Sequence, residues 1–171
     1  MDDSLKKTVN IRYASKKDLK EIVEIFNQAI RNRTSTGYLT EVTIEERKEW
    51  FFEHIQEKYP ILVAELNKKI VGWINIDPYR KGRKAFKKTA EVSCFVHNEF
   101  KRKGIGEMLL HTMMQTAKKL GYKTIFAIVL DQNIGSRKLL EKNNFEQWAL
   151  LPDVAEIDRK ILSHVYYGKK L

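Results

Sequence analysis

The chain is predicted to fold as an α/β protein, a mixed central sheet of about seven strands flanked by four helices. Three observations predict it. β-rich runs separate segments whose apolar residues recur at helical spacing. Two of those runs meet at a short polar turn, as antiparallel neighbours do, and two others are joined through a helix, which calls for a right-handed parallel crossover. The order along the 171 residues is β-α-α-β-β-β-α-β-α-β-β.

Residues 1–8 are polar and unpatterned and read as a short flexible tail; residues 9–171 read as one domain, because no repeat and no low-complexity stretch interrupts them. "VNIRYA" (9–14) alternates apolar and polar positions, as a half-buried strand does. Ser15 and Asp18 then make a capping-box-like start, followed by Leu19, Ile22, Val23, Phe26, Ala29 and Ile30 at helical spacing. Thr43 and Glu46 form a second such box and open a helix carrying Trp50, Phe51 and Ile55, ending before Pro60. "ILVAEL" and "KIVGWINID", with the turn residues "NKK" between their cores, read as a hairpin. "DPYRKGRKAFKK" is a basic, turn-rich excursion before "TAEVSCFV" resumes strand character. The third helix spans about Gly104 to Leu120, with Ile105, Met108, Leu109, Thr112, Met113, Thr116 and Leu120 as its apolar stripe and Gly121 closing it. "KTIFAIVL" has the continuous apolarity of a strand buried on both faces; "NIGSRKLLEKNN" gives a short helix, and "FEQWALL" and "KILSHVYYG" the last strands.

Composition narrows the function classes. No run approaches the ~20 apolar residues of a membrane span, and the start "MDDSLKKTVN" lacks a signal peptide's apolar core, so a cytoplasmic protein without membrane contact is expected. One cysteine, Cys94, leaves no partner for an internal disulfide, and four scattered histidines show no metal spacing, so no metal is expected. Thirty-two Lys and Arg against 22 Asp and Glu give a formal charge of +10, which suits an anionic partner. A nucleic-acid-binding module would exploit that charge, but no RNA- or DNA-binding motif accompanies it.

The stretch "FVHNEFKRKGIGEMLL" (95–110) sharpens the anion. A helix N-terminus presents unpaired N–H groups and about half a positive charge. Gly104 and Gly106 lie at that terminus, where a missing Cβ lets backbone approach a ligand, and Lys101, Arg102 and Lys103 add charge to the same corner. The physics points to a pyrophosphate-bearing ligand.

"TAEVSCFVHNEFKRKGIGEMLL" resembles the acetyl-CoA-binding core of the GNAT superfamily of N-acetyltransferases, whose signature runs Arg or Gln, two residues, Gly, one residue, Gly or Ala. Lys101 takes the place of the Arg or Gln, Arg102 stands where glycine is frequent, and Gly104 and Gly106 match. "DQNIGSRKLLEKNNF" is similar to the family's later element, with Asn133, Ser136, Leu139 and Phe145 in register and Asn144 replacing a glycine. "FNQAI", "VTIEERKEWF" and "AEVSCFVH" resemble the phosphinothricin acetyltransferase-like branch, whose members acetylate amino groups of small amino-acid analogues.

The resemblance implies the GNAT fold and acetyl-CoA as cosubstrate. It implies direct transfer of an acetyl group to a small-molecule primary amine, such as an amino acid or its analogue, with a protein or peptide amine as the alternative; it also implies a homodimer. Cys94, Phe95, Val96, Lys101, Arg102, Lys103, Gly104, Ile105, Gly106, Asn133 and Ser136 are the expected cofactor contacts. Glu91 is the expected general base, directly or through water, its pKa raised by apolar neighbours such as Ala90 and Val92. Backbone N–H groups around Phe95 and Val96 are candidates to stabilise the oxyanion. Many relatives carry a proton donor where Leu140 stands; Tyr166, Tyr167 and His164 are the nearest substitutes, and the alternative is departure of the thiolate unaided. Cys94 reads as a small core residue pointing away from Glu91. Tyr38 and Arg80 are candidate substrate contacts, with loop 79–88 equally readable as a solvated charge run.

Overall fold

The computed structural model describes residues 8–54 and 59–171. The expected tail, apart from Thr8, lies outside the described residues, as do Ile55 and the stretch in which helix two was to end. One sheet runs in the order β1-β2-β3-β4-β5-β7-β6, built from β1 (Asn10–Tyr13), β2 (Ile61–Leu66), β3 (Lys69–Pro78), β4 (Thr89–Val96), β5 (Thr124–Leu130), β6 (Glu146–Ile157) and β7 (Lys160–Lys170). β4 and β5 run parallel, and the other neighbours are antiparallel. The helices that flank the sheet are α1 (Leu19–Arg31), α2 (Ile44–His54), α3 (Ile105–Lys119) and α4 (Ile134–Lys142). The predicted order of elements is the observed one.

Local chemistry accounts for the boundaries. Both predicted boxes form: Asp18 accepts from Ser15 N–H at 2.7 Å, and Glu46 accepts from Thr43 N–H at 2.7 Å while Thr43 Oγ1 accepts from Glu46 N–H at 3.2 Å. Arg12 donates to both oxygens of Asp18, at 2.7 and 2.9 Å, and so ties β1 to the start of α1. Burial works to raise the Asp18 pKa, but the hydrogen bonds from Arg12 and Ser15 outweigh it and hold the carboxyl below its ordinary range. The β2–β3 turn places Asn67 and Lys68 at positive φ, and the β6–β7 turn does the same with Asp158 and Arg159, the left-handed pairs that tight hairpins require. β6 is longer than its predicted core: it continues through Pro152, which an edge strand tolerates because one side of its ladder faces solvent.

Strand alternation sorts the core into two layers. Ile74 and Ile76 of β3 and Ala90 and Val92 of β4 pack with Ile105, Leu109, Leu110 and Met113 of α3. On the other face Trp73 and Phe95 pack with Ile22, Phe26 and Phe51 of α1 and α2. Gly72 is the contact point of α3 on β3: a Cβ there would meet Leu109 Cδ1 at 3.1 Å and Ile105 Cγ2 at 3.3 Å. Leu120 departs from the predicted stripe and is 41% exposed; the buried face of α3 instead ends on Ala117, because Gly121 at φ +86° turns the chain away after the last helical turn.

Candidate functional site

β4 and β5 pair through Thr89↔Thr124, Ala90↔Ile125 and Glu91↔Phe126, and beyond that point they diverge. His97 N–H donates to Val71 O at 2.9 Å, so by alternation Phe95 N–H is directed to β3, while the N–H groups of Cys94 and Val96 face the gap left by β5. Of the two predicted oxyanion donors, Val96 therefore faces the gap and Phe95 does not.

A cleft of about 580 Å³ runs along this gap. Cys94, Phe95 and Val96 wall it on one side, Ala127, Ile128 and Val129 on the other, and Lys101, Arg102, Gly104 and Gly106 close one end. Asn133 and Ser136 line it as well, and Asn133 also caps α4 by accepting from Ser136 N–H at 3.1 Å. Two expected contacts fall elsewhere. Ile105 is 1% exposed beneath the sheet, since the first turn of α3 aims it at the core, and Lys103 extends its ammonium to within 5.0 Å of the Phe100 ring outside the cleft wall. Thr34, Ser35, Gly135 and Lys142 line the cleft without having been anticipated.

The corner itself is strained where the sequence departs from its resemblance. Gly104, the N-cap of α3, has φ +82°, and Arg102, at a position where glycine is frequent, has φ +61°. Asn144, at the other replaced glycine, has φ +59°, so both turns persist with a left-handed residue in place of glycine. Burial lowers the pKa of the Lys101 ammonium, as expected of a cation partly withdrawn from water with no acidic partner.

A second cavity, about 410 Å³, opens on the face covered by α1 and α2 and shares Ser35, Ser93, Phe95 and Ile128 with the cleft. Glu91, Asp77, Asn75, Tyr38, Arg47 and His164 line it. Glu91 is opposite Asp77 across the β3–β4 ladder, and its pKa is pushed up to about 7, first by burial and second by the negative charge of Asp77. Ala90 and Val92 are not the source of that burial: adjacent residues of a strand face opposite ways, and these two lie under α3. Glu91 points to the opposite face, where it lines the second cavity with Asn75, Asp77 and Ser93.

Asp77 belongs to a small polar network. His54, 4% exposed, places Nδ1 2.7 Å from Trp50 O and Nε2 2.7 Å from Asp77 Oδ1. A carbonyl only accepts, so Nδ1 carries a proton and donates it to Trp50 O. Asn75 donates to Asp77 Oδ2 at 2.6 Å, which leaves Asn75 Oδ1 buried at the cavity wall without a partner.

Tyr38 stands at the cavity as expected, edge-to-face with Phe26 at 5.2 Å. Arg80 lies outside both cavities, exposed beside Tyr79, because the turn after β3 carries it away from the sheet. Leu140 lines the cleft but offers no proton. Among the substitute donors, Tyr167 is excluded by position: its hydroxyl donates to Glu141 at 2.6 Å and accepts from Arg137 at 3.2 Å. Tyr166 stacks on Phe126, and His164 alone of the three reaches the second cavity. Cys94 faces the α3 side, and burial pushes its thiol up to about 12, which suits the core role and disfavours a nucleophilic one. The unanticipated residues had a faint signal. Asn75 and Asp77 are polar positions alternating with Ile74 and Ile76, and Arg47 precedes Trp50 by one helical turn.

A splayed parallel pair, a basic glycine corner at a helix start and a carboxyl with a raised pKa together define an acyl-transfer enzyme. The chain belongs to the acetyltransferase (GNAT) family, whose profile matches residues 19–145. It is 36% identical over 164 residues to YwnH of Bacillus subtilis (strain 168), provisionally named a phosphinothricin acetyltransferase, covering 95% of this chain and 99% of that one. It is 30% identical over 146 residues to the L-methionine sulfoximine/L-methionine sulfone acetyltransferase of Salmonella typhimurium (strain LT2), covering 85% of each. The solved structure of yncA, from Salmonella typhimurium with its cofactor acetyl-CoA, superposes with a TM-score of 0.90 at 27% identity, covering 96% of this chain and 94% of that one. The chain is accordingly an N-acetyltransferase, with acetyl-CoA as cosubstrate. No described helix is long and apolar enough to cross a membrane.

Proposed function

We propose that the chain transfers the acetyl group directly to the primary amine of a small molecule, an amino acid or amino-acid analogue, with Glu91 as the general base. One observation carries the reading: the cleft and the second cavity meet at Ser93, Phe95 and Ile128, and Glu91 lines the second cavity on the same strand. An amine held there reaches a thioester laid along β4.

The residues present fit acetyl-CoA. The free N–H groups of Cys94 and Val96 match the amide-rich pantetheine arm, and Lys101, Arg102 and the start of α3 match the diphosphate. When bound, acetyl-CoA supplies an acetyl group on a good leaving group. At neutral pH the acceptor is mostly an ammonium, and Glu91, with its pKa near 7, takes its proton directly or through a water. Val96 N–H faces the gap and would donate to the acetyl oxygen as negative charge develops there. The departing thiolate takes its proton from His164 or from water, since a thiol pKa near ~8.5 makes its unaided release tolerable.

Names of the relatives support the acceptor class: the two curated relatives are a provisional phosphinothricin acetyltransferase and an acetyltransferase of methionine sulfoximine and sulfone. Cytoplasmic location and a homodimer complete the reading. The dimer is supported by an exposed apolar row on the edge hairpin, with Trp148, Leu150, Val154 and Ile161 each 45–57% exposed.

A free-CoA release assay over amino acids, their sulfone, sulfoximine and phosphinyl analogues, polyamines and peptides tests the acceptor. Turnover confined to peptides would replace the small-molecule reading with the protein one. In parallel, acetyl-CoA is expected to raise Tm.

A further inference from the structure

We propose that Arg47 binds a carboxylate of the acceptor, so that the second cavity selects α-amino acids over amines that lack a free carboxyl. The inference rests on the acetyl-transfer reading of that cavity and names the feature of the substrate that it recognises.

Arg47 is held in place by rings. Its Cζ lies 4.1 Å from the centroid of Trp50, 4.5 Å from Phe26 and 5.9 Å from Tyr38. The guanidinium is thus held against these rings at the cavity wall. Among the described residues no carboxylate lies within 4 Å of it and no side-chain hydrogen bond uses its donors. Arg12 and Arg31, by contrast, are paired, Arg12 with Asp18 and Glu65 and Arg31 with Glu24 and Glu41. Apart from His164, Arg47 is the one basic side chain lining the cavity.

The rest of the cavity has the opposite character. Asp77 and Glu91 line it with Asn75, whose buried Oδ1 has no partner. Asp77 acts on Arg47 electrostatically without reaching it as an ion pair. A cavity with a free guanidinium and, separately, two carboxyls and an orphan acceptor is complementary to a zwitterion. The substrate carboxylate takes the guanidinium fork, and the ammonium takes Asn75 Oδ1 and the carboxyls, beside the base that will deprotonate it. Trp50, Trp73 and Leu130 leave an apolar wall for the side chain.

The test compares three acceptors, L-methionine sulfone, its carboxamide and its decarboxylated amine, in wild type, Arg47→Gln and Arg47→Lys, by CoA release at saturating acetyl-CoA. In wild type kcat/KM for the amino acid is expected to exceed that for the amide and the amine by roughly 10- to 100-fold. Arg47→Gln lowers kcat/KM for the amino acid, mainly through KM, by a larger factor than for the amide and the amine, so the preference collapses; Arg47→Lys keeps part of it. Equal wild-type rates on all three acceptors, or an Arg47→Gln loss equal on all three, overturns the inference while acetyl transfer stands. No CoA release from any of them, with acetyl-CoA binding intact, overturns the acceptor reading and the inference together. The wild-type comparison needs no variant, so a folding defect cannot shield the proposal.

Discussion

Replacing Glu91 by Gln should make the enzyme more stable at alkaline pH as it makes it inactive. The carboxyl is raised from 4.5 to about 7 by burial and by Asp77 opposite it. Between those values the folded chain still holds a proton that the unfolded chain has released. Stability therefore falls as pH rises from about 4.5 to about 7, and it is fully present only below that window. The gap corresponds to roughly 3 kcal/mol, reduced to about 1–3 kcal/mol by water in an open cavity. Glutamine keeps the shape and has no charge to desolvate. Urea unfolding of both proteins at pH 5 and pH 8.5 measures the effect: the variant's advantage should grow by about 1–3 kcal/mol between the two, with the slope m unchanged. In the same preparations kcat should fall by about 100-fold or more, while the Tm rise with acetyl-CoA persists. A stability difference identical at both pH values would mean that Glu91 titrates as an ordinary carboxylate, and the argument for its tuning would fail.

Asp77→Asn removes the second cause of the raised Glu91 pKa, so the acidic limb of kcat/KM should move to lower pH while staying above the ordinary carboxylate range, because burial is the larger cause; an unmoved or raised limb counts against the coupling. Gly104→Ala forces a Cβ into a left-handed residue at φ +82°, at about 1–2 kcal/mol, and should weaken acetyl-CoA binding measured by calorimetry more than it lowers Tm. Gly168→Ala places a methyl in the ring of Trp148, which lies flat on that glycine, so tryptophan emission should change and the edge hairpin loosen, while kcat on a small amine stays near wild type. Asp18→Ala deprives Arg12 of its main partner and Ser15 N–H of its acceptor, for a loss of about 2–4 kcal/mol in chemical unfolding.

Much of the fold was legible because its determinants are local. The two capping boxes, the period change after Pro60 and the glycine at 121 all act within a few residues, and each sits where the sequence placed it. The cofactor corner was legible for the same reason: strand, basic turn, glycines and helix are contiguous from Thr89 to Lys119, so one motif carries the whole feature. Not every residue of the motif lines the cleft. Ile105 and Lys103 share the motif with true lining residues, and only the rotation of α3 on the sheet separates them.

The acceptor cavity was beyond the sequence because its polar parts come from five separate segments. Arg47 on α2, Asn75 and Asp77 on β3, Glu91 on β4, Tyr38 on the loop after α1 and His164 on β7 are brought together by sheet order alone. Taken by itself, the sequence determined the class of fold, the glycine corner and Glu91 as the candidate base. Tertiary structure decided that Glu91 is buried on the face away from Ala90 and Val92, that Asp77 raises its pKa, and that Arg47 rather than Arg80 lines the same cavity. The physical reason is range: capping and periodicity act over one helical turn, whereas desolvation and charge coupling depend on which distant segments the fold packs around a group.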